Sequence, residues 1–284
     1  MISKLMIYLR LSRLDKPVGI YLLLWPSLIG LMLGISNSGI YELKDFLIVL
    51  IGSILVRSCG CVINDISDYK FDKLVSRTKD RPIAKGEISL KSAWIFFCIL
   101  ASSCLGLLMF VPKTTAQISV VIAVFILMYP MTKRFLKAPQ IFLGITFGSG
   151  TLISYSLVST NFSLSIFLMF LGTILWIISF DTIYALEDVD DDRVIGINST
   201  PILWEDKTII ISKILHLLFY FSLLLIFYVN QFSLSFLAIL FILLCIFLYQ
   251  YRLVAERKYL KAFKANHWVG MFATIGFAAE IFLI

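Results

Sequence analysis

Two acidic clusters interrupt an otherwise apolar chain: N-D-I-S-D-Y-K-F-D at 64–72 and D-T-I-Y-A-L-E-D-V-D-D-D at 181–192. In the second, five acids (Glu187, Asp188, Asp190, Asp191 and Asp192) fall within six positions. Like charges four apart on a helix repel by roughly a few tenths of a kcal/mol per pair, and a bound cation reverses that sign. Asn64, Asp68 and Asp72 recur at i, i+4 and i+8 and stack on one helical face. Asp181, Tyr184, Asp188 and Asp192 share a face at offsets 0, 3, 7 and 11. Mg2+ takes near-octahedral oxygen ligands, usually one or two carboxylates with phosphate oxygens and water. Asp68, Asp72, Asp188 and Asp192 can supply the carboxylates, and Asn64 a neutral oxygen. The pattern fits Mg2+ holding a diphosphate. A calcium loop is excluded, because the glycine-centred twelve-residue sequence it needs is missing.

Basic residues accompany the acids. Arg57 lies on the Asn64 stripe but inside an apolar run, where a charge is expensive and faces the protein interior. A phosphate is its natural partner through paired hydrogen bonds. A solvated helix end would explain Asp68 and Asp72 but leaves Arg57 without a reason. The segment S-R-T-K-D-R-P-I-A-K-G adds Arg77 and Arg81 on a loop able to close over a diphosphate, whereas Lys79 and Lys85 fit an ordinary basic loop. T-P-I at 200–202 echoes R-P-I at 81–83, a hint of duplicated halves. Tyr129 and Lys133 lie four apart across Pro130, a helix-kinking residue, and Arg134 follows. Lys133 can neutralise a diphosphate and Arg134 can pair with a substrate carboxylate; interfacial anchoring explains the trio equally well.

These residues must be positioned by membrane helices. A mean hydropathy of +0.93 and 60% hydrophobic residues exclude an ordinary soluble domain. About 20 apolar residues span a hydrocarbon core roughly 30 Å thick, and nine runs qualify, near 18–36, 45–66, 91–111, 117–135, 139–158, 162–183, 208–229, 232–250 and 267–284. The expectation is an all-α protein of about nine transmembrane helices forming a single intramembrane domain over 1–284. With the N-terminus in the cytoplasm, inside segments hold 20 of the Lys and Arg residues, and outside loops only Lys44 and Lys113. That is a strong positive-inside bias, and it puts both acidic clusters on the cytoplasmic side. The net charge of +7 is therefore mostly topology and suits an anionic leaflet, with no separate basic tail for nucleic acid. The first run is too long for a signal-peptide core and reads as a span. No Arg- and Ser-rich transit segment precedes it, so a bacterial plasma (inner) membrane is expected. The five cysteines lack metal-ligand spacing and read as small apolar filler. Mg2+-bound diphosphate at the face of a lipid-embedded protein points to prenyl transfer in the bilayer.

The N-D-x-x-D-x-x-x-D cluster, the second D-x-x-x-D after Tyr184, and Y-x-x-x-K at 129–133 together resemble the UbiA-type intramembrane aromatic prenyltransferases. R-L-D-K-P-V-G at 13–19, L-L-L-W-P at 22–26, R-S-C-G-C-V-I-N-D at 57–65, G-I-N-S-T at 196–200 and K-A-F-K-A-N-H-W-V-G at 261–270 are similar to the 4-hydroxybenzoate polyprenyltransferase branch. The resemblance implies a nine-helix bundle with a central cavity opening to lipid and capped by cytoplasmic loops. It implies substrates of that branch, polyprenyl diphosphate and 4-hydroxybenzoate, joined at C3 in an early membrane step of ubiquinone biosynthesis. By position, Asp68, Asp72, Asp188 and Asp192 would hold Mg2+ on the diphosphate, with Asn64, Arg57 and Lys133 assisting and Arg134 meeting the benzoate carboxylate. Pro201 and a short turn at Trp204–Lys207 depart from the expected pattern and bear on that loop's shape.

The chemistry expected is ionisation of the allylic C–O bond, attack by the carbon ortho to the phenol, and loss of its proton to Asp181 or the released diphosphate. Charge on the leaving group is neutralised by metal and basic residues, and a dry cavity protects the cation. Two other readings compete: a different acceptor, such as a naphthoate or haem, and a secondary transporter. Transporter charges lie at midplane on broken helices, whereas these acids gather at one membrane face. Protein partners are not legible in the chain.

Overall fold

The computed structural model describes residues 2–283, and every regular element among them is helical. A short helix α1 (Ile2–Leu11) leads through a turn to α2 (Val18–Ser38), which ends where Gly39 adopts φ 70° and its N–H bonds back to Ile35. Only a residue without Cβ takes that left-handed cap at little cost. The 30-residue α3 (Leu43–Asp72) follows, then a long polar loop, then α4 (Leu90–Leu107), whose first turn is capped by Ser89 accepting from the Ser92 N–H at 3.1 Å. Next come α5 (Lys113–Thr132), with Pro130 in its last turn, and α6 (Pro139–Tyr155), opened by a proline whose missing N–H is spared at that position. The chain continues with α7 (Leu164–Ala185), the short α8 (Val189–Ile195) and α9 (Thr200–Trp204), then α10 (Thr208–Val229), α11 (Ser235–Ala255), α12 (Tyr259–Lys264) and α13 (Asn266–Phe282).

Each of the nine apolar runs coincides with a long helix, but the span count differs. Among the described residues, seven helices are long and apolar enough to cross a membrane. The other two, α6 and α13, have 17 residues each, short of the roughly 20 that cross a hydrocarbon core upright. Of the two expectations on helical continuity, the first cluster's holds and the second cluster's changes. α3 runs beyond the predicted 45–66 to Asp72, because Asn64, Asp65, Asp68 and Asp72 continue the helix past the apolar stretch. Asp181 to Asp192 do not lie on one helix: α7 stops at Ala185 and α8 starts at Val189. Asp190, Asp191 and Asp192 then occupy the first turn of α8, where carboxylates favour a fresh helix N-terminus.

The core lies where α2, α6, α7, α10 and α13 meet. Trp176 on α7 stacks on Phe219 of α10 with centroids 5.0 Å apart, and its Nε1 donates to Asn266 Oδ1 at the head of α13, 2.8 Å away. α2 and α6 approach so closely that a Cβ on Gly30 would lie 2.2 Å from the Thr151 carbonyl oxygen. α4 and α5 instead present Trp94, Ile99, Val120 and Val124 outwards, as lipid-facing helices do.

Candidate active site

At one end of the bundle a cavity of about 250 Å3 opens between α3, the 73–89 loop, α5, α7 and α8. Its lining includes six carboxylates (Asp65, Asp68, Asp72, Asp181, Asp188 and Asp192) and five basic side chains (Arg13, Arg57, Arg77, Arg81 and Lys133). Phe147, Phe180 and Leu143 form apolar wall. The two acidic clusters, more than a hundred residues apart in sequence, thus face one space. Asn64, Tyr129 and Tyr184 line it too.

The carboxylates close on the bases. Arg81 donates through Nη1 to both oxygens of Asp72 at 2.9 Å and to Asp65 Oδ1 at 3.1 Å. Arg77 pairs with both Asp188 oxygens, bonds to the Tyr184 hydroxyl, and its guanidinium lies 4.3 Å from the centroid of that ring. Lys133 Nζ stands 3.7 Å from Asp68. Burial lowers the affinity of Arg77 for its proton, but its bonds to Asp188 and Tyr184 outweigh that and hold it above its ordinary range. Burial pushes the Asp192 carboxyl up to about 6. The Ser76 N–H donates to Asp191 Oδ2 at 3.1 Å, so the loop after the first cluster is tied to the helix that carries the second.

Three buried polar atoms of lining residues have no hydrogen-bond partner: Arg57 Nε, Asn64 Oδ1 and Ser199 Oγ. An unpaired buried donor or acceptor is costly, and a polar ligand bonded to these groups would remove that cost. Arg57, with its guanidinium 5.4 Å from the centroid of the Phe147 ring, is of the type that binds a phosphate or carboxylate. Among the described residues no three acids converge at metal-ligand spacing; Asp68, Asp72 and Asp188 are engaged by cations instead. The donor set, carboxylates with one amide oxygen and no thiolate or imidazole, nevertheless fits a hard divalent cation.

Of the residues given a metal or substrate role from sequence, Arg134 alone stays out of the lining, and Glu187, Asp190 and Asp191 of the second cluster also lie outside it. Arg134 Nη2 donates to the Ser67 carbonyl at 3.1 Å, lies 3.8 Å from Asp68, and its guanidinium covers the Phe71 ring. Conversely, sequence reasoning passed over Arg13, Asp65, Gln140, Asn198 and Ser199. Asp65 adjoins Asn64 and precedes Asp68 by three, so helical spacing alone could have placed it on the wet face. Arg13 and Ser199 arrive from distant turns; the motifs at 13–19 and 196–200 contain them, but no spacing shows that those turns reach the cavity.

Fold and site define an intramembrane α-helical protein with a cavity built for an anionic ligand. The model of the UbiA prenyltransferase family matches residues 23–275. The chain belongs to that family. It is 38% identical over 279 residues to a 4-hydroxybenzoate octaprenyltransferase of Pseudomonas aeruginosa, covering 96% of this chain and 93% of that one. It is 36% identical to another, from Vesicomyosocius okutanii, covering 95% and 99%. Among solved structures it shares its fold with a UbiA homologue from Aeropyrum pernix (TM-score 0.80, 22% identity, covering 91% of this chain and 96% of that one). A UbiA homologue from Archaeoglobus fulgidus, solved with GPP and Mg2+, has the same fold (TM-score 0.71, 18% identity, 96% and 98% covered).

Proposed function

We propose that the chain transfers a polyprenyl group from polyprenyl diphosphate to C3 of 4-hydroxybenzoate, with Mg2+, in the bacterial inner membrane, as an early step of ubiquinone biosynthesis. The observation that carries this reading is the facing of the two acidic clusters across one arginine-rich cavity, in a chain related over nearly its full length to 4-hydroxybenzoate octaprenyltransferases. The whole chain acts as one intramembrane unit, with the cavity mouth on the cytoplasmic side.

Asp68, Asp72, Asp188 and Asp192, with Asn64, would hold Mg2+. That ion supplies electrostatic stabilisation of the departing diphosphate. With these carboxylates holding the metal, Arg77, Arg81 and Lys133 would be available to bond phosphate oxygens, where charge develops as the C–O bond breaks. The bond's electron pair leaves with the diphosphate. Tyr129, Tyr184 and Phe147 line the cavity and would shield the allylic cation from water. The ring carbon ortho to the phenol supplies the pair for the new C–C bond, and its proton passes to Asp181 or to the released diphosphate.

For the acceptor carboxylate, Arg134 is the sequence-based choice, and it must leave Ser67 and Phe71 to reach the cavity. Arg57 already faces the cavity with an unpaired Nε, which favours it as a second reading. Acceptor identity is tested by offering purified protein 4-hydroxybenzoate and a dihydroxynaphthoate together with one polyprenyl diphosphate. Prenylated benzoate as the main product supports the reading; prenylated naphthoate moves the chain to another acceptor class. Product formed in detergent, without any gradient, excludes a transporter.

A further inference from the structure

Arg81 is held by two further lining residues that have been given no role in the reaction, Arg13 and Asp65. Arg13, in the turn between α1 and α2, donates from Nη2 to both oxygens of Asp65 at 2.9 Å, and Asp65 is only 1% exposed. Asp65 in turn accepts from Arg81, whose same Nη1 bonds Asp72. Arg13 adopts φ 58°, a left-handed conformation that a residue with Cβ holds only under surrounding constraint and that gathers at functional sites. Its Nη1 bonds the Arg10 carbonyl at 2.7 Å, and Arg10 grips the 73–89 loop through the Asp80 carbonyl at 2.9 Å and Glu87 at 2.8 Å. The α1 end therefore fixes Arg81 twice, through its loop and through Asp65.

We infer that Asp65 and Arg13 are positioning residues for diphosphate binding: Asp65, locked by Arg13, keeps Arg81 in the cavity once Asp72 turns to metal. This inference rests on the reading of the cavity as a diphosphate site. Its physical basis is competition. With two carboxylates on one guanidinium, Arg81 can give up Asp72 and still be held, leaving its other N–H groups for a phosphate. With Asp65 neutralised, Arg81 has Asp72 as its sole charged partner and competes with metal for it.

The test is calorimetric titration of purified protein with a short-chain prenyl thiolodiphosphate, which does not ionise readily, at a series of Mg2+ concentrations. Asp65→Asn should weaken binding roughly tenfold or more, the scale of a lost charge-assisted bond, and raise the Mg2+ concentration needed. Arg13→Lys, which keeps the charge but loses the fork that holds Asp65 and the Arg10 carbonyl together, should shift both in the same direction by less. The double variant should resemble Asp65→Asn, because the two act in series, and the KM for the aromatic acceptor should stay unchanged. Unchanged probe affinity in Arg13→Lys and Asp65→Asn, even with lowered thermal stability, would reduce the pair to a structural staple and overturn the inference. Should Asp65→Asn fail to fold, Arg13→Lys decides alone. Failure of the wild-type protein to bind the probe would overturn the diphosphate reading itself.

Discussion

Four of the six cavity carboxylates, Asp65, Asp68, Asp72 and Asp188, are paired with a cation, and that pairing sets what their loss does. Asp68→Asn removes the partner of Lys133 and Asp188→Asn the partner of Arg77, so in either variant a base loses its counter-charge and a ligand oxygen is weakened. Both substitutions keep shape. We predict a fall in turnover of about a hundredfold or more, the scale of losing one group aimed at developing charge, with normal membrane insertion. Near-normal turnover from well-expressed protein would sink the assignment of these acids. Arg134 and Arg57 make opposite predictions. If Arg134 meets the acceptor, Arg134→Ala raises the acceptor KM far more than that for prenyl diphosphate. A selective rise in Arg57→Ala, with both constants little changed in Arg134→Ala, assigns the carboxylate to the residue already in the cavity.

At the scale of elements, the site depends on α3 carrying its polar turns beyond the apolar run and on α7 breaking before α8. The runs that became α2 to α7, α10, α11 and α13 were legible because lipid demands long apolar stretches with internally paired backbones. The acids of the first cluster were legible because one helix carries them at fixed spacing. The second cluster was read on a single helix, yet Glu187 and Asp188 sit in a turn, since periodicity does not register a break that keeps its residues near the same cavity. Arg134 illustrates the same limit: its neighbour Lys133 lines the cavity, while one residue on, past the end of α5, the side chain turns to Ser67 and Phe71. Packing of α2 on α6 supports the wall behind the site. Gly30→Ala drives a methyl group into the Thr151 backbone, where no flexible side chain can yield. We expect a loss of roughly 1–3 kcal/mol, the scale of overpacking, seen as a lower midpoint in thermal unfolding in detergent; an unchanged midpoint would show that the two helices can part freely.

For the molecule as a whole, the charge asymmetry of the loops and the gathering of both acidic clusters at one end of the bundle agree with each other. The loop at 73–89 and the α8 region meet through Ser76 and Asp191, so they share one side of the membrane. In the orientation proposed from the positive-inside bias, that side is the cytoplasmic one. Cysteine introduced at Lys79, in a background without native cysteines, should react with an impermeant thiol reagent only from the cytoplasmic face, and cysteine at Lys44 only from the other. The reverse pattern would invert the molecule and put the cavity mouth on the wrong side for a soluble diphosphate leaving group. The account as a whole stands on one claim, that the facing clusters form a single Mg2+-dependent site of prenyl transfer. It is tested most directly by incubating the purified protein with 4-hydroxybenzoate and a polyprenyl diphosphate, with Mg2+, with EDTA, and with EDTA followed by excess Mg2+. The predicted result is 3-polyprenyl-4-hydroxybenzoate formed with Mg2+, lost with EDTA and restored by the added metal; equal product in all three, or none in any from folded protein, would contradict it.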